Sequence, residues 1–424
     1  MFILRDVLYS IGFIVYLPIL FLSGKWHGGF KDRFGFLPPE SIRSLALGKN
    51  IWIHAVSVGE VVAIDGLIRS LQADYPDHQV ILSVTTKTGH ALAVRKYTDH
   101  VQVLWAPFDF SRVVDRFVNI IQPELYIAAE TELWPNLFQR LSEDKVPVIV
   151  VNGRISDEAF PRYRLLKGFM RGTVRRVSLF CMQSDVDVDR IIALGADRAS
   201  VQMVGNVKFD NVPQVVSTDQ LKLGLDSGHL VLVGGSTHPG EEACLVDTFL
   251  SLRSWYPALR LVLAPRHPER AAEIAKLVTK HSLRPLLFST NRSALGQEDV
   301  LIVDTIGHLL GFYAAATVVF VGKSLTVKGG HNIIEPAVFG KPIVIGPHMQ
   351  NFRDITEVFR TEKAVIQVED ALGLTRAFSG LLADEAKRQD LGQRAQEVIR
   401  KNRGATRRTM DLIRTTWEQA EHHK

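Results

Sequence analysis

The stretch IWIHAVSVGEV, residues 51–61, decides how the chain is to be read. Ile51–Val56 is a short apolar run without alternation, as a strand buried on both faces requires. From its end, His54, Ser57, Gly59 and Glu60 lead into helical periodicity, which makes a strand, a polar turn and a helix. Such a turn exposes backbone N–H groups that can hold an anion. A plain tight turn explains Gly59 equally well. The spacing is not the dinucleotide fingerprint, because G-x-G-x-x-G is absent.

The same unit repeats along the chain. Val80–Val84, Val101–Trp105, Leu125–Ala129, Val146–Val151 and Leu179–Met182 read as further buried strands separated by helical stretches. Gly205–Gly228 is polar, contains Pro213 and reads as a connection between domains. The alternation resumes at Leu230–Val233, Leu261–Ala264, Val300–Val303, Val318–Val321 and Pro342–Ile345, and Glu369–Lys424 is helical in composition. Alternating strands and helices imply parallel α/β layers, here in two halves.

Composition excludes several classes. The 424 residues are 46% hydrophobic and 22% charged, as in a globular protein. The net charge of +5 suits an anionic partner but is too diffuse to indicate nucleic acid. Cys181 and Cys244 are the only cysteines, so neither a disulfide framework nor a thiolate metal site is expected, and a reducing compartment fits. Val7–Leu22 is an uncharged run of 16 residues with Pro18 inside it, short of the roughly 20 that span a bilayer. Arg5 and Asp6 cancel and no cleavage site follows, which argues against a signal peptide. Lys25, Lys31 and Arg33 lie just after it and keep the body in the cytoplasm by the positive-inside rule. An anchor over residues 1–24 is therefore expected, spanning or lying in one leaflet.

In parallel α/β sheets ligands sit beyond the C-terminal strand ends, so those loops carry the chemistry. After Leu125–Ala129 come Glu130 and Glu132, able to accept hydrogen bonds from hydroxyls or to ionise at a catalytic centre. Acids at a helix start explain them too. In the second half, VLVGGSTHPGEE places Ser236 and Thr237 ahead of a helix start, a phosphate cradle. Arg266 and His267 end the next strand, and a third loop gathers Lys323, Ser324, His331, Asn332 and Glu335. Three polar loops at strand ends describe a nucleotide pocket.

Two signals are set aside. Asp185, Asp187 and Asp189 resemble a metal-binding acidic motif, but after Ser184 they read as a helix N-terminus. His54, His238, His267 and His331 lack paired ligand spacing, so no metal site is expected. A third signal is kept. Residues 161–177 carry six basic residues and no acid, with Arg164, Lys167, Arg171 and Arg175 spaced along one helix face. That face suits membrane anions or a phosphorylated lipid.

The ordered set HAVSVGE, ETELWPN, NGRIS, GNVKFD, GGSTHPGEE, APRHPER, DTIGHLLGFYAAA and GGHNIIEPAVFGKPIVIGPH closely resembles the lipid A Kdo transferases of glycosyltransferase family 30. These move 3-deoxy-D-manno-octulosonic acid (Kdo) from CMP-Kdo. The resemblance implies a GT-B glycosyltransferase fold, two Rossmann-like domains facing across a cleft. It places the acceptor domain at 25–207 and the CMP-Kdo domain at 208–424, the latter including the C-terminal helices. It also implies inverting transfer to lipid IVA without metal or cofactor, at the cytoplasmic face of the inner membrane.

By this resemblance Asp32, in DRFG where the family has glutamate, is the catalytic base. Glu130, Glu132 and Lys208 stand near the reacting sugars. Ser236, Thr237, Arg266, His267, Ile306, Gly307, Asn332 and Glu335 fall on the donor side, and Ser57, Gly59, Glu60, Arg164 and Arg171 on the acceptor side. Lys323 departs from the family glycine, and HNIIE replaces HNPLE. The competing readings are a GT-B enzyme using a UDP-sugar, as a transferase or 2-epimerase, and a non-catalytic membrane-bound nucleotide sensor.

Overall fold

The computed structural model describes residues 6, 9–10, 28–46, 48–97, 100–211, 229–290 and 299–422. Most of the apolar run over 7–22, with Lys25, lies outside them, as do 212–228 of the expected connection. No helix among the described residues is long and apolar enough to cross a membrane.

The chain forms two compact units. The first comprises Met1–Asn211 and Arg403–Lys424, the second Val212–Asn402. The first holds β1 (Lys49–Ala55), β2 (His78–Val84), β3 (Gln102–Trp105), β4 (Pro123–Ala129), β5 (Val148–Gly153), β6 (Leu179–Met182) and β7 (Val201–Met203). They form one parallel sheet in the order β3-β2-β1-β4-β5-β6-β7. The second unit holds β8 (Leu230–Thr237), β9 (Leu259–Pro265), β10 (Pro285–Leu287), β11 (Val300–Ile302), β12 (Val318–Val321), β13 (Ile343–Ile345) and β14 (Ile366–Gln367). Their order is β10-β11-β9-β8-β12-β13-β14, again all parallel. In each sheet the winding reverses beside the first strand, between β1 and β4 and between β8 and β12. In open parallel sheets the adjoining loops diverge at such a point and form a crevice.

The strands are apolar on both faces because helices cover both. In the first unit Trp52, Tyr126 and Phe180 bury one face and Ile51, Ile53, Leu125 and Ile149 the other, each fully enclosed. The second unit packs Leu232, Leu261, Leu263 and Phe320 in the same way. The sequence expectation missed β7, β10 and β14, which have only three, three and two residues and show no run.

The end of the chain corrects the expected domain boundary. Residues 208–424 do not form one C-terminal domain, because the last helix, Ala405–His422, belongs to the first unit. Met410, Ile413 and Trp417 enter the core beside Ile51 and Leu71, and the Trp417 ring lies 4.9 Å from Tyr75. The Asp210 carboxylate accepts hydrogen bonds from the Gly404 and Thr406 N–H groups at 2.6 and 2.5 Å, capping this helix from a distant segment. Arg408 donates to the Val204 carbonyl at 2.7 Å.

Because Trp417 fills the first unit's core, Trp417→Ala is expected to destabilise that unit by about 3–5 kcal/mol. Hydrogen exchange should speed up in β1 and β4 while β8 and β12 keep their protection. Equal loss in both sheets, or none, would contradict this docking.

Candidate active site

The first crevice is acidic. The helix Val58–Ala63 begins at Ser57, and its first-turn Glu60 turns back to accept the Val56 N–H at 2.7 Å and the Ser57 hydroxyl at 2.9 Å. Glu60 is 7% exposed. Burial, reinforced by the charges of Glu130 and Glu132, raises its pKa to about 7, against the lowering effect of the Val56 and Ser57 bonds. Glu132 is also raised, by burial and then by Glu130. Ser57 and Glu60 thus hold each other. Gly59 has no left-handed φ and room for a Cβ, with the Ser57 Oγ 3.7 Å away, so neither a tight turn nor close packing demands it.

Glu130 follows β4 directly with φ +55, a strained value for a residue with a Cβ. Its carboxylate lies 3.6 Å from the Lys208 ammonium. Lys208 therefore belongs to the first unit, beside the acidic crevice, and not to the C-terminal domain assigned from sequence. Two asparagines place it. Asn152, itself at φ +54 where the β5–β6 register slips, accepts the Val207 N–H, and Asn206 accepts the Lys208 N–H.

Asp32 sits in a short 3-10 turn, Asp32–Phe34, packed against β3. Gly29 makes that approach possible, since a Cβ there would lie 2.0 Å from the Trp105 ring. Arg33 donates to the Ala106 carbonyl at 2.9 Å and its guanidinium lies 4.0 Å from the Phe108 ring centre. Its pKa falls to about 10 through burial, and its charge reaches His54. Of the two cations expected to orient the anchor, Lys31 is exposed, whereas Arg33 is half-buried in these contacts. His54 is buried, hydrogen-bonded to Ser83 at 3.0 Å, and lowered to about 3 by burial and then by Arg33, so it is neutral.

The basic segment also differs from expectation. It forms two helices, Ala159–Leu165 and Lys167–Val174, broken at Leu166, so Arg164 and Arg171 do not share one continuous face. Arg164 and Arg171 are exposed. The first helix borders the acidic crevice through Tyr163, whose pKa is raised by burial and then by Glu132. The acidic triplet is a helix start, as expected: Ser184 accepts the Asp187 N–H, and Asp187 accepts the Ile155 N–H.

The second crevice is cationic. Glu241, fully buried, accepts N–H groups from His238, Lys323, Ser324 and Leu325 at 2.8–3.0 Å and so ties the loop after β8 to the loop after β12. Gly322 lets them touch: a Cβ there would lie 2.4 Å from the Ser236 carbonyl oxygen. This brings His238 Nε2 within 3.0 Å of His331 Nε2. Their pKa values fall to about 4 and 3, by burial first and then by the charges of Lys323 and Arg266 among others. Both are neutral at pH 7, one donating to the other. No spacing rule finds this pair, because it depends on β12 lying beside β8.

Arg266 is exposed and has no ion-pair partner among the described residues, whereas His267 lies 3.3 Å from Glu269. Ser236, at φ +54 where the β8–β9 register slips, is partly open. Thr237 corrects the sequence reading, because it is fully buried and donates to Glu242 at 2.9 Å. Asn332 donates to Glu335 at 3.3 Å, and burial raises the Glu335 pKa. Ile306 is 86% exposed, with open space at Gly307. Among the described residues no group of three His, Cys, Asp or Glu side chains is arranged to hold a metal.

Residues 28–211 match the family model described as 3-deoxy-D-manno-octulosonic-acid transferase (kdotransferase). The chain is 33% identical to the 3-deoxy-D-manno-octulosonic acid transferase of Haemophilus influenzae, over 94% of this chain and 93% of that protein. It belongs to the Kdo transferase family. The Bordetella pertussis transferase of the same name is 31% identical over 92% of each chain. Among solved structures, UDP-GlcNAc 2-epimerase from Neisseria meningitidis, bound to UDP-GlcNAc, superposes with TM-score 0.57 at 11% identity. That match covers 86% of this chain and all of the epimerase, and it supports a fold of two parallel-sheet α/β units resembling the GT-B glycosyltransferases.

The Glu60 carboxyl of this transferase gives a pH prediction. In the folded chain it keeps its proton up to about pH 7, whereas its ordinary value is 4.5. Between these values the folded state binds more protons, so the stability of the first unit falls as pH rises. Glu60→Gln should flatten that slope, read as the urea midpoint at pH 5 and pH 8. An unchanged slope would place the proton elsewhere.

Proposed function

We propose that this chain transfers Kdo from CMP-Kdo to a hydroxyl of a phosphorylated lipid A precursor, lipid IVA, in lipopolysaccharide synthesis. The observation that carries the assignment is the chemical contrast between the two crevices of a Kdo transferase family member. The first gathers Glu60, Glu130 and Glu132, with Lys208 beside Glu130. The second gathers Arg266, Lys323 and the His238–His331 pair at a helix start. Carboxylates accept hydrogen bonds from sugar hydroxyls. Cations and backbone N–H groups suit a donor that carries both a phosphate and a sugar carboxylate.

In this reading Asp32 takes the proton from the acceptor hydroxyl as its oxygen bonds to the anomeric carbon of Kdo. The bond from that carbon to the CMP phosphate oxygen breaks, its electron pair leaves with CMP, and Arg266 and the helix-start N–H groups stabilise the departing charge. A single displacement inverts the anomeric centre and needs no metal. Lys208 and Glu130 orient the reacting sugars. The base lies just after the apolar run, where a lipid acceptor presents its headgroup. We place the chain at the cytoplasmic face of the inner membrane, held by that run and aided by Arg164 and Arg171.

The test is mass spectrometry of lipid IVA after incubation with the chain and a CMP-Kdo supply. A product heavier by one or more Kdo units is expected. Transfer from UDP-sugars instead, or binding without turnover, would overturn the assignment. Asp32→Ala should slow transfer by about 10²–10⁴-fold while the affinity for CMP is kept; turnover at the wild-type rate would remove Asp32 from the mechanism.

A further inference from the structure

The turn after β12 carries a strained lysine to which the transfer steps above assign no role of its own. Lys323 has φ +57, a left-handed conformation that a side chain with a Cβ rarely adopts. The turn is held from several directions. The Lys323 N–H donates to buried Glu241 at 2.8 Å and its carbonyl accepts the Gly330 N–H at 2.6 Å. Ser324 Oγ donates to the Val321 carbonyl at 2.6 Å and accepts the Gly346 N–H at 2.9 Å. A glycine would satisfy every one of these backbone bonds without strain. Something other than the backbone therefore favours a long side chain here.

The side chain itself supplies the reason. Its methylenes run over Gly329, where a Cβ would meet the Lys323 Cε at 2.8 Å, so the stem is packed and its direction set. Among the described residues no carboxylate lies within ion-pair distance of its ammonium, although Glu241 and Glu335 stand in the same crevice; their oxygens are engaged by the loop N–H groups and by Asn332. The charge of that ammonium acts on His238 and His331, which share one hydrogen bond, and Arg266 and His267 act on the same pair. Two cations without a carboxylate at ion-pair distance, next to neutral imidazoles and a helix start, leave donors open to an anionic ligand.

We propose that Lys323 is a specificity-determining residue, whose ammonium holds an anionic group of the nucleotide-linked sugar donor. This rests on the reading of the second crevice as the donor site. The anion is either the phosphate or the sugar carboxylate, and two ligands distinguish them, since CMP has only the first and CMP-Kdo has both.

The experiment compares Lys323→Met, which keeps the strained turn and removes the charge, with Lys323→Gly, which removes both. Calorimetry gives the CMP affinity, and steady-state rates give the KM for CMP-Kdo. Lys323→Met should raise the KM for CMP-Kdo by about 10-fold or more, the loss of a charge-assisted hydrogen bond, with little change in kcat. An equal loss of CMP affinity would assign the phosphate; an unchanged CMP affinity would assign the carboxylate. Lys323→Gly should show the same KM increase while the melting temperature of the second unit rises by about 2–4 °C. Stability and donor affinity moving in opposite directions is the signature a purely structural lysine would not give. Wild-type KM and CMP affinity in both variants would overturn the inference alone. Failure of the wild-type chain to bind CMP would overturn the donor reading beneath it.

Discussion

A carboxylate buried in the first helical turn after the central strand organises each crevice. Glu60 follows β1 and Glu241 follows β8, and both are nearly or fully enclosed. Burying a carboxylate costs several kcal/mol unless hydrogen bonds surround it, so the loops must present their N–H groups to it. Around Glu241 four backbone N–H groups do so, and in turning inward they fix the positions of His238 and Lys323. Around Glu60 one backbone N–H and one hydroxyl do so, fewer partners than Glu241 has. Glu60 is left with a pKa near neutrality and Glu130 and Glu132 as neighbours.

The strain follows the same logic. Of the residues with a Cβ and a left-handed φ, Gln122, Lys145, Ser282 and Lys363 lie in loops at helix ends, where that conformation is ordinary. Glu130, Asn152, Ser236 and Lys323 instead sit at the C-terminal ends of β4, β5, β8 and β12. Asn152 and Ser236 coincide with slips in strand register. Bulges and left-handed turns at strand ends re-aim the chain, and here they place Lys208 beside Glu130, open Ser236 to the crevice, and direct Lys323. Within each unit the strained positions lie at the strand ends to which the proposal assigns a substrate.

The strands were legible because each is an apolar run buried on both faces, and eleven such runs appear in the sequence at nearly their observed positions. The edge strands β7, β10 and β14 were not, since two or three residues carry no pattern. The strand-end rule located Glu130, Arg266 and Lys323 without any structure. It misjudged Thr237, since a hydroxyl in a turn looks the same whether it faces a ligand or Glu242. It also left the His238–His331 contact invisible, because only the strand order joins residues so far apart. The return of Ala405–His422 to the first unit was equally hidden; an amphipathic helix does not say which core it covers. The packing of Arg33 was hidden in the same way, because its carbonyl and ring partners lie more than 70 positions away.

Two crevices of opposite charge in one transferase fit the proposed division of labour, in which the cationic second unit holds the anionic donor. A crystal structure of the chain with CMP tests this directly. The phosphate is expected at the ends of β8 and β12, within hydrogen-bonding distance of Arg266 or Lys323 and beside His238 and His331. A nucleotide seated instead over Glu60, Glu130 and Glu132 would contradict it.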